Sequence, residues 1–170
     1  MNDIVNRVAN SSLRSIDLEH IFTHEIKPFT RVLDLQELLG DAPILIERDF
    51  RKALSQFDWA GYKNQYVHLT SSNDLILPGW TFMLVQCHLL PYAKFCGLGS
   101  FREFTNAALQ HFIQHMSLDE LAHHPIIIKG CGNLNITEQT HLTLINRLFP
   151  IAKSLMYGEA CSTVPLYKKK

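Results

Sequence analysis

The chain has little of what would mark it for a specialised class. Its 170 residues carry 16 Lys and Arg against 16 Asp and Glu, so it has no net charge of either sign. That removes the broad basic footprint of a nucleic-acid binder or of a protein that sits on anionic membranes. Charged residues are 19% and hydrophobic residues 46% of the total, a balance that excludes a disordered chain. The four cysteines, Cys87, Cys96, Cys131 and Cys161, are too few and too irregularly spaced for a disulfide scaffold. None forms a C-x-x-C pair, which argues against a zinc ribbon or a thioredoxin-type dithiol. The most apolar stretch, Leu75 to Leu90, is broken by Pro78, Gly79, Gln86 and His88 and is too short and polar to cross ~30 Å of hydrocarbon. The first residues lack a basic run followed by an apolar core, so a cytoplasmic protein with free thiols is expected. There is no G-x-S-x-G, no P-loop and no G-x-G-x-x-G. No repeat or low-complexity linker marks a boundary, and residues 1–170 read as a single α/β domain, with 1–60 extending the sheet at its N-terminal side.

What is present is an alternation of strand and helix. In the first forty residues, Ile4, Val5 and Val8 suit a short amphipathic helix, and Leu13, Ile16, Leu18 and the run from Phe29 to Leu35 suit short antiparallel strands. Pro43 to Ile46 reads as a buried strand. Phe50, Ala53, Leu54 and Phe57 then fall at i, i+3, i+4 and i+7, the stripe of an amphipathic helix. Tyr66 to Leu69 is a strand ended by the turn Ser71 to Asp74. From Pro78 to Leu90 the pattern is a helix apolar nearly all round, which belongs in an interior or at an interface. Lys94 to Leu98 is a strand, and Ser100 with Glu103 forms a capping box that opens the next helix. Pro125-Ile126-Ile127-Ile128 is the clearest strand, a β-branched run without polar alternation, as expected for one covered on both faces. Asn135 and Glu138 give a second capping-box-like start, and the helical spacing runs on through Leu155, with Pro150 breaking or kinking it. The fold class is therefore α/β: a parallel or mixed sheet with helices on both faces, its strands near 66, 95 and 127 side by side.

Ligands in such sheets bind beyond the carboxyl ends of the strands. Cys131 stands there, between Gly130 and Gly132 and before a helix, where main-chain N–H groups favour an anion or a thiolate. Gly130, Gly132 and Asn133 thus form a candidate anion or ligand turn. Cys131 is a candidate nucleophile, sulfur carrier or metal ligand, and its alternative is a small buried hydrophobe. Cys161, in a loop without a hydrophobic pattern, is the second thiol or metal candidate. A continuous helix from about Thr137 to Tyr157 would run about 30 Å and carry Cys161 away from Cys131, unless Pro150 lets the chain fold back or Cys161 reaches a neighbouring subunit. Cys87 and Cys96 read as core residues. His111 and His115, four apart, would share one helix face and could hold a metal. Phe112 stands where a catalytic H-E-x-x-H would have glutamate, and solvated or structural histidines are the alternative. If all three strands share a sheet, the loops at 71–74, 99 and 131 converge on one pocket.

Several stretches carry a family resemblance: Ile4 to Ser11, Asp49-Phe50-Arg51, Pro91 to Lys94, Lys129-Gly130-Cys131, and Met156 through Lys168. In these the chain resembles the bacterial domain-of-unknown-function family DUF2480, found mainly in Bacteroidetes. Where the family pattern has proline before the second signature cysteine, this chain has Ala160. The resemblance implies a cytoplasmic accessory role, since such proteins tend to be encoded near iron–sulfur cluster assembly genes.

The leading expectation is thus an accessory protein in iron–sulfur or sulfur metabolism that holds a metal, a cluster or persulfide sulfur transiently on Cys131 and Cys161, with iron–sulfur assembly proteins as partners. A second is a non-catalytic homodimeric interaction module using the helix from Pro78 to Leu90. A third is a small-molecule enzyme with an anion site at the 130–133 turn.

Overall fold

The structure is a computed structural model, and it describes residues 12–40, 44–72, 77–130, 132–159 and 162–169. The expected helix near Ile4, and the positions Pro43, Asn73, Asp74, Cys131, Ala160, Cys161 and Lys170, lie outside the described residues. The α/β class holds: helices alternate with strands along most of the chain.

The chain divides into two compact units, Phe22–His111 and Met1–Ile21 together with Phe112–Lys170. Each has its own sheet. This corrects the single-sheet expectation, because strand runs are legible in a sequence but strand partners are not.

In the unit Phe22–His111, strands β2 (Thr30–Asp34), β3 (Tyr66–Thr70) and β4 (Phe95–Leu98) form a three-stranded, all-parallel sheet in the order β2-β3-β4. The central β3 is paired on both sides, and its residues 66 to 69 are all buried. Helix α3 (Glu47–Gln56) follows the predicted stripe, burying Phe50 and Leu54. These two join Leu33, Leu35, Val67, Leu69, Val85 and Leu89 in one apolar cluster. Ile44 to Ile46 is no strand: it has no strand partner among the described residues, and Ile44 and Ile46 are exposed. Helix α4 (Gly79–Leu89) buries only the stripe Thr81, Val85 and Leu89, while Met83 and Leu90 stand 68% and 66% exposed. Cys87, expected in the core, is exposed, whereas Cys96 on β4 is half-buried. The capping box at the start of α5 (Phe101–His115) is complete. Ser100 N–H donates to Glu103 Oε2 at 2.8 Å, and Glu103 N–H returns to Ser100 Oγ at 3.3 Å.

In the other unit, β1 (Arg14–Ile16), β5 (Pro125–Ile128), β6 (Ser154–Glu159) and β7 (Ser162–Lys168) form a sheet in the order β1-β5-β6-β7. The first three are mutually parallel, and only β7 runs antiparallel, against β6. The N-terminal strands are therefore parallel, not antiparallel: β1 pairs with β5, and β2 with β3. A three-residue strand carries no signal of its direction, which here is set by pairing with residues more than a hundred positions away.

Strand β5 occupies the predicted residues and is hydrogen-bonded on both edges, with Ile126, Ile127 and Ile128 buried. Helix α6 (Glu138–Leu148) is capped by Thr137, not Asn135: the extended Thr137 accepts from Thr140 N–H through its side chain. The helix ends before Pro150, and the residues expected to continue it form β6 instead. The spacing of Leu148, Ala152 and Leu155 imitates a helix, but all three are buried across a turn and a strand.

Candidate functional site

Three parallel strands bring their carboxyl ends together at one place. Ile16, Ile128 and Tyr157 share a register row, since Ile16 pairs with Ile128 and Ile128 with Tyr157. Beyond that row the chain continues as Asp17-Leu18-Glu19 from β1, Lys129-Gly130 from β5 and Gly158-Glu159 from β6. This is the strand end at which parallel sheets place ligands. A cleft of about 110 Å³ lies there, lined among others by Asp17, Glu19, Lys129, Gly130, Gly132, His141 and Tyr157. The candidate turn at Gly130, Gly132 and Asn133 is therefore at a cleft. The expected three-loop pocket is not formed on one sheet edge, because the strand near 127 belongs to a different sheet from those near 66 and 95.

The cleft is built from opposed donors and acceptors. Lys129 Nζ lies 3.2 Å from Asp17 Oδ2, with both side chains partly exposed. Asp17 Oδ1 accepts the His20 N–H at 2.9 Å. Burial works to raise the Asp17 carboxyl, but the His20 N–H and the Lys129 ammonium outweigh it and hold the group below its ordinary value. Glu19 reaches across from α1 (Leu18–Ile21), and its Oε2 accepts the Asn133 N–H at 2.8 Å. A carboxylate of the chain itself thus sits on the turn where an external anion was expected.

A Cβ on Gly130 would lie 2.5 Å from the Tyr157 ring, and one on Gly132 would overlap Glu19 Oε2, so a side chain at either position would have to push that neighbour aside. Tyr157 in turn meets the His141 ring edge-on at 5.8 Å. His141 Nδ1 is 3.1 Å from the Thr137 carbonyl. A carbonyl only accepts, so Nδ1 carries the proton and Nε2 is left as the acceptor of the neutral ring. An imidazole acceptor, a phenol and an ammonium therefore border the same cleft, a set able to hold and move a proton beside a bound ligand.

The two thiol candidates, Cys131 and Cys161, lie outside the described residues, but their flanking segments do not. The expected long helix, which would have carried Cys161 away, is replaced by α6, a turn and β6 running back alongside β5. Gly130 and Glu159 consequently follow neighbouring parallel strands at the same sheet end, and Glu159 pairs with Ser162 across the 160–161 link.

The two histidines of α5 stand in different surroundings. His111 packs against aromatic rings, 5.2 Å from Phe95 and 6.3 Å from Tyr66, whereas His115 is exposed. Among the described residues no group of three or more His, Cys, Asp or Glu is placed to hold a metal ion. Burial pushes the half-buried Cys96 thiol up to about 12, so near neutral pH it stays protonated.

Asp17, Glu19, His141 and Tyr157 had no signature of their own in the sequence. Lys129 and Tyr157 do fall inside the stretches that carry the family resemblance. Asp17 and Glu19 are reached only through the pairing of β1 with β5, across 112 and 114 residues of chain.

Among the described residues no helix is long and apolar enough to cross a membrane. No curated protein and no solved structure matches the chain. The family model described as "Protein of unknown function (DUF2480)" matches residues 2–169, and the chain belongs to that family.

Proposed function

We propose that this chain is a cytoplasmic accessory protein of sulfur or iron–sulfur metabolism that carries metal or persulfide sulfur as cargo on Cys131 and Cys161. One observation supports the reading: β5 and β6 are parallel neighbours, so Gly130 and Glu159, the described residues that precede the two cysteines in sequence, lie at the same end of the same sheet. Thiolates are the side chains that take soft metals and sulfane sulfur. Lys129 and His141 line the cleft beside Gly130, a positive charge and a ring nitrogen of the kind that support a thiolate. Iron–sulfur assembly proteins are the partners this role requires.

Anaerobic purification followed by iron, zinc and sulfide analysis tests the proposal. Wild type is expected to load cargo, Cys131→Ser to lose it and Cys161→Ser to lose most of it. Equal loading of wild type and Cys131→Ser ends the reading.

A second reading, a homodimeric interaction module, is favoured by the apolar face of α4, where Met83 and Leu90 are largely exposed and Trp80 is 37% exposed. Light scattering separates the two. A dimer that Met83→Asp converts to monomer, with cargo loading absent from wild type, supports the module.

A further inference from the structure

Glu19 and Lys129 line one cleft, and the Asn133 N–H held by Glu19 and the Lys129 ammonium are each already engaged by a carboxylate of the chain. Asn133 N–H donates to Glu19 Oε2 at 2.8 Å, and Lys129 Nζ is 3.2 Å from Asp17 Oδ2. Glu19 approaches so closely that a side chain at position 132 would have to push its carboxylate aside. We propose that Glu19 is a built-in occupant of an oxyanion site formed by the Asn133 N–H, Lys129 and Tyr157, and that a compact oxyanion of the phosphate or sulfate type binds there by displacing it.

Three donors would hold that ligand. The Asn133 N–H becomes free when Glu19 leaves. Lys129, partly exposed and flexible, can share its ammonium between Asp17 and the newcomer. The Tyr157 hydroxyl, which also borders the cleft and overhangs Gly130, supplies a third. A side-chain carboxylate on a main-chain N–H has the same charge and donor geometry as a bound oxyanion, so Glu19 itself marks where the ligand sits. Its role is competitive. With Glu19 in place the site is closed to weak anions and opens only to a ligand whose contacts with Lys129 and Tyr157 exceed what Glu19 gives up. The inference uses the cleft of the proposed function but not its thiols.

Calorimetric titration of inorganic phosphate into the full chain tests this, with every variant also carrying Cys131→Ser so that cargo chemistry cannot contribute. Glu19→Ala is expected to bind phosphate about tenfold more tightly than its parent. Adding Lys129→Ala should abolish the gain. Gly132→Ala provides an independent route, because its methyl group would displace the Glu19 carboxylate without removing the charge, and it should also gain affinity. Circular dichroism confirms that each variant is folded. If neither Glu19→Ala nor Gly132→Ala binds phosphate more tightly than the parent, Glu19 is a structural tie and the inference is wrong, whatever the cysteines do.

Discussion

Ile128 of β5 and Tyr157 of β6 are register partners on parallel strands. Both strands therefore run out at the same end of the sheet, β5 into Lys129-Gly130 and β6 at Glu159, which pairs with Ser162 of β7. Everything proposed for this protein's chemistry depends on that shared exit, because it brings together two segments separated by nearly thirty residues of sequence. The same strand end also receives Asp17 and Glu19 from β1, so the cleft is assembled from three strands and the first turn of α6.

Gly130→Ala is expected to destabilise the fold by about 1 kcal/mol, since its methyl group would overlap the Tyr157 ring and force it aside. Tyr157 is 36% exposed and can move, which keeps the cost at the low end. Urea denaturation of the single variants and of Gly130→Ala/Tyr157→Ala forms a double-mutant cycle. The alanine at 130 should cost less when the ring is absent, and a fully additive cycle would show that the two do not press on each other.

The two cysteines of the unit Phe22–His111 should react very differently. Cys87 is exposed on α4, whereas burial holds the Cys96 thiol near 12, so at pH 8 almost none of it is thiolate. In a Cys131→Ser/Cys161→Ser background, alkylation followed by peptide mass mapping should label Cys87 in the native protein. Cys96 should be labelled only after denaturant is added. Equal labelling rates for the two would contradict the placement of β4.

Stability should depend on Asp17 in acid. Its folded carboxyl titrates below the ordinary value of 3.8, despite burial, because the His20 N–H and Lys129 favour the charged form. A group depressed in this way stabilises the fold above its unfolded value and loses that contribution as pH falls through the folded one. Wild type should therefore lose stability progressively below about pH 4, and Asp17→Asn should show a shallower acid limb. At pH 7 the variant should be weaker by no more than about 1 kcal/mol, given the solvent exposure of the Lys129 partner. Identical acid limbs in thermal melts from pH 2 to pH 7 would remove the ion pair from the account.

The parts of this fold that were legible in the sequence are those set by neighbours along the chain. The β-branched run from Pro125 to Ile128, the apolar stripe of α3 and the capping box from Ser100 to Glu103 each declare themselves within a few residues. The division into two sheets did not, because pairing is decided by contacts far away in sequence. Nor did β6: Leu148, Ala152 and Leu155 keep a helical spacing while Pro150, with no N–H to donate, ends the helix. The same contrast applies at the site. Gly130, Gly132 and Asn133 could be found as a turn after a covered strand, whereas Asp17 and Glu19 follow a three-residue strand with two of its residues exposed. Their role is visible only once β1 is seen against β5.

The most direct test of the two-thiol site is mild diamide oxidation of the native protein, followed by non-reducing peptide mapping. A direct disulfide requires Cα atoms within about 7 Å. The account predicts a Cys131–Cys161 link within one chain, lost in either serine variant and formed without denaturant. Oxidation that leaves both cysteines free in the native state, or joins them only after unfolding, would contradict it.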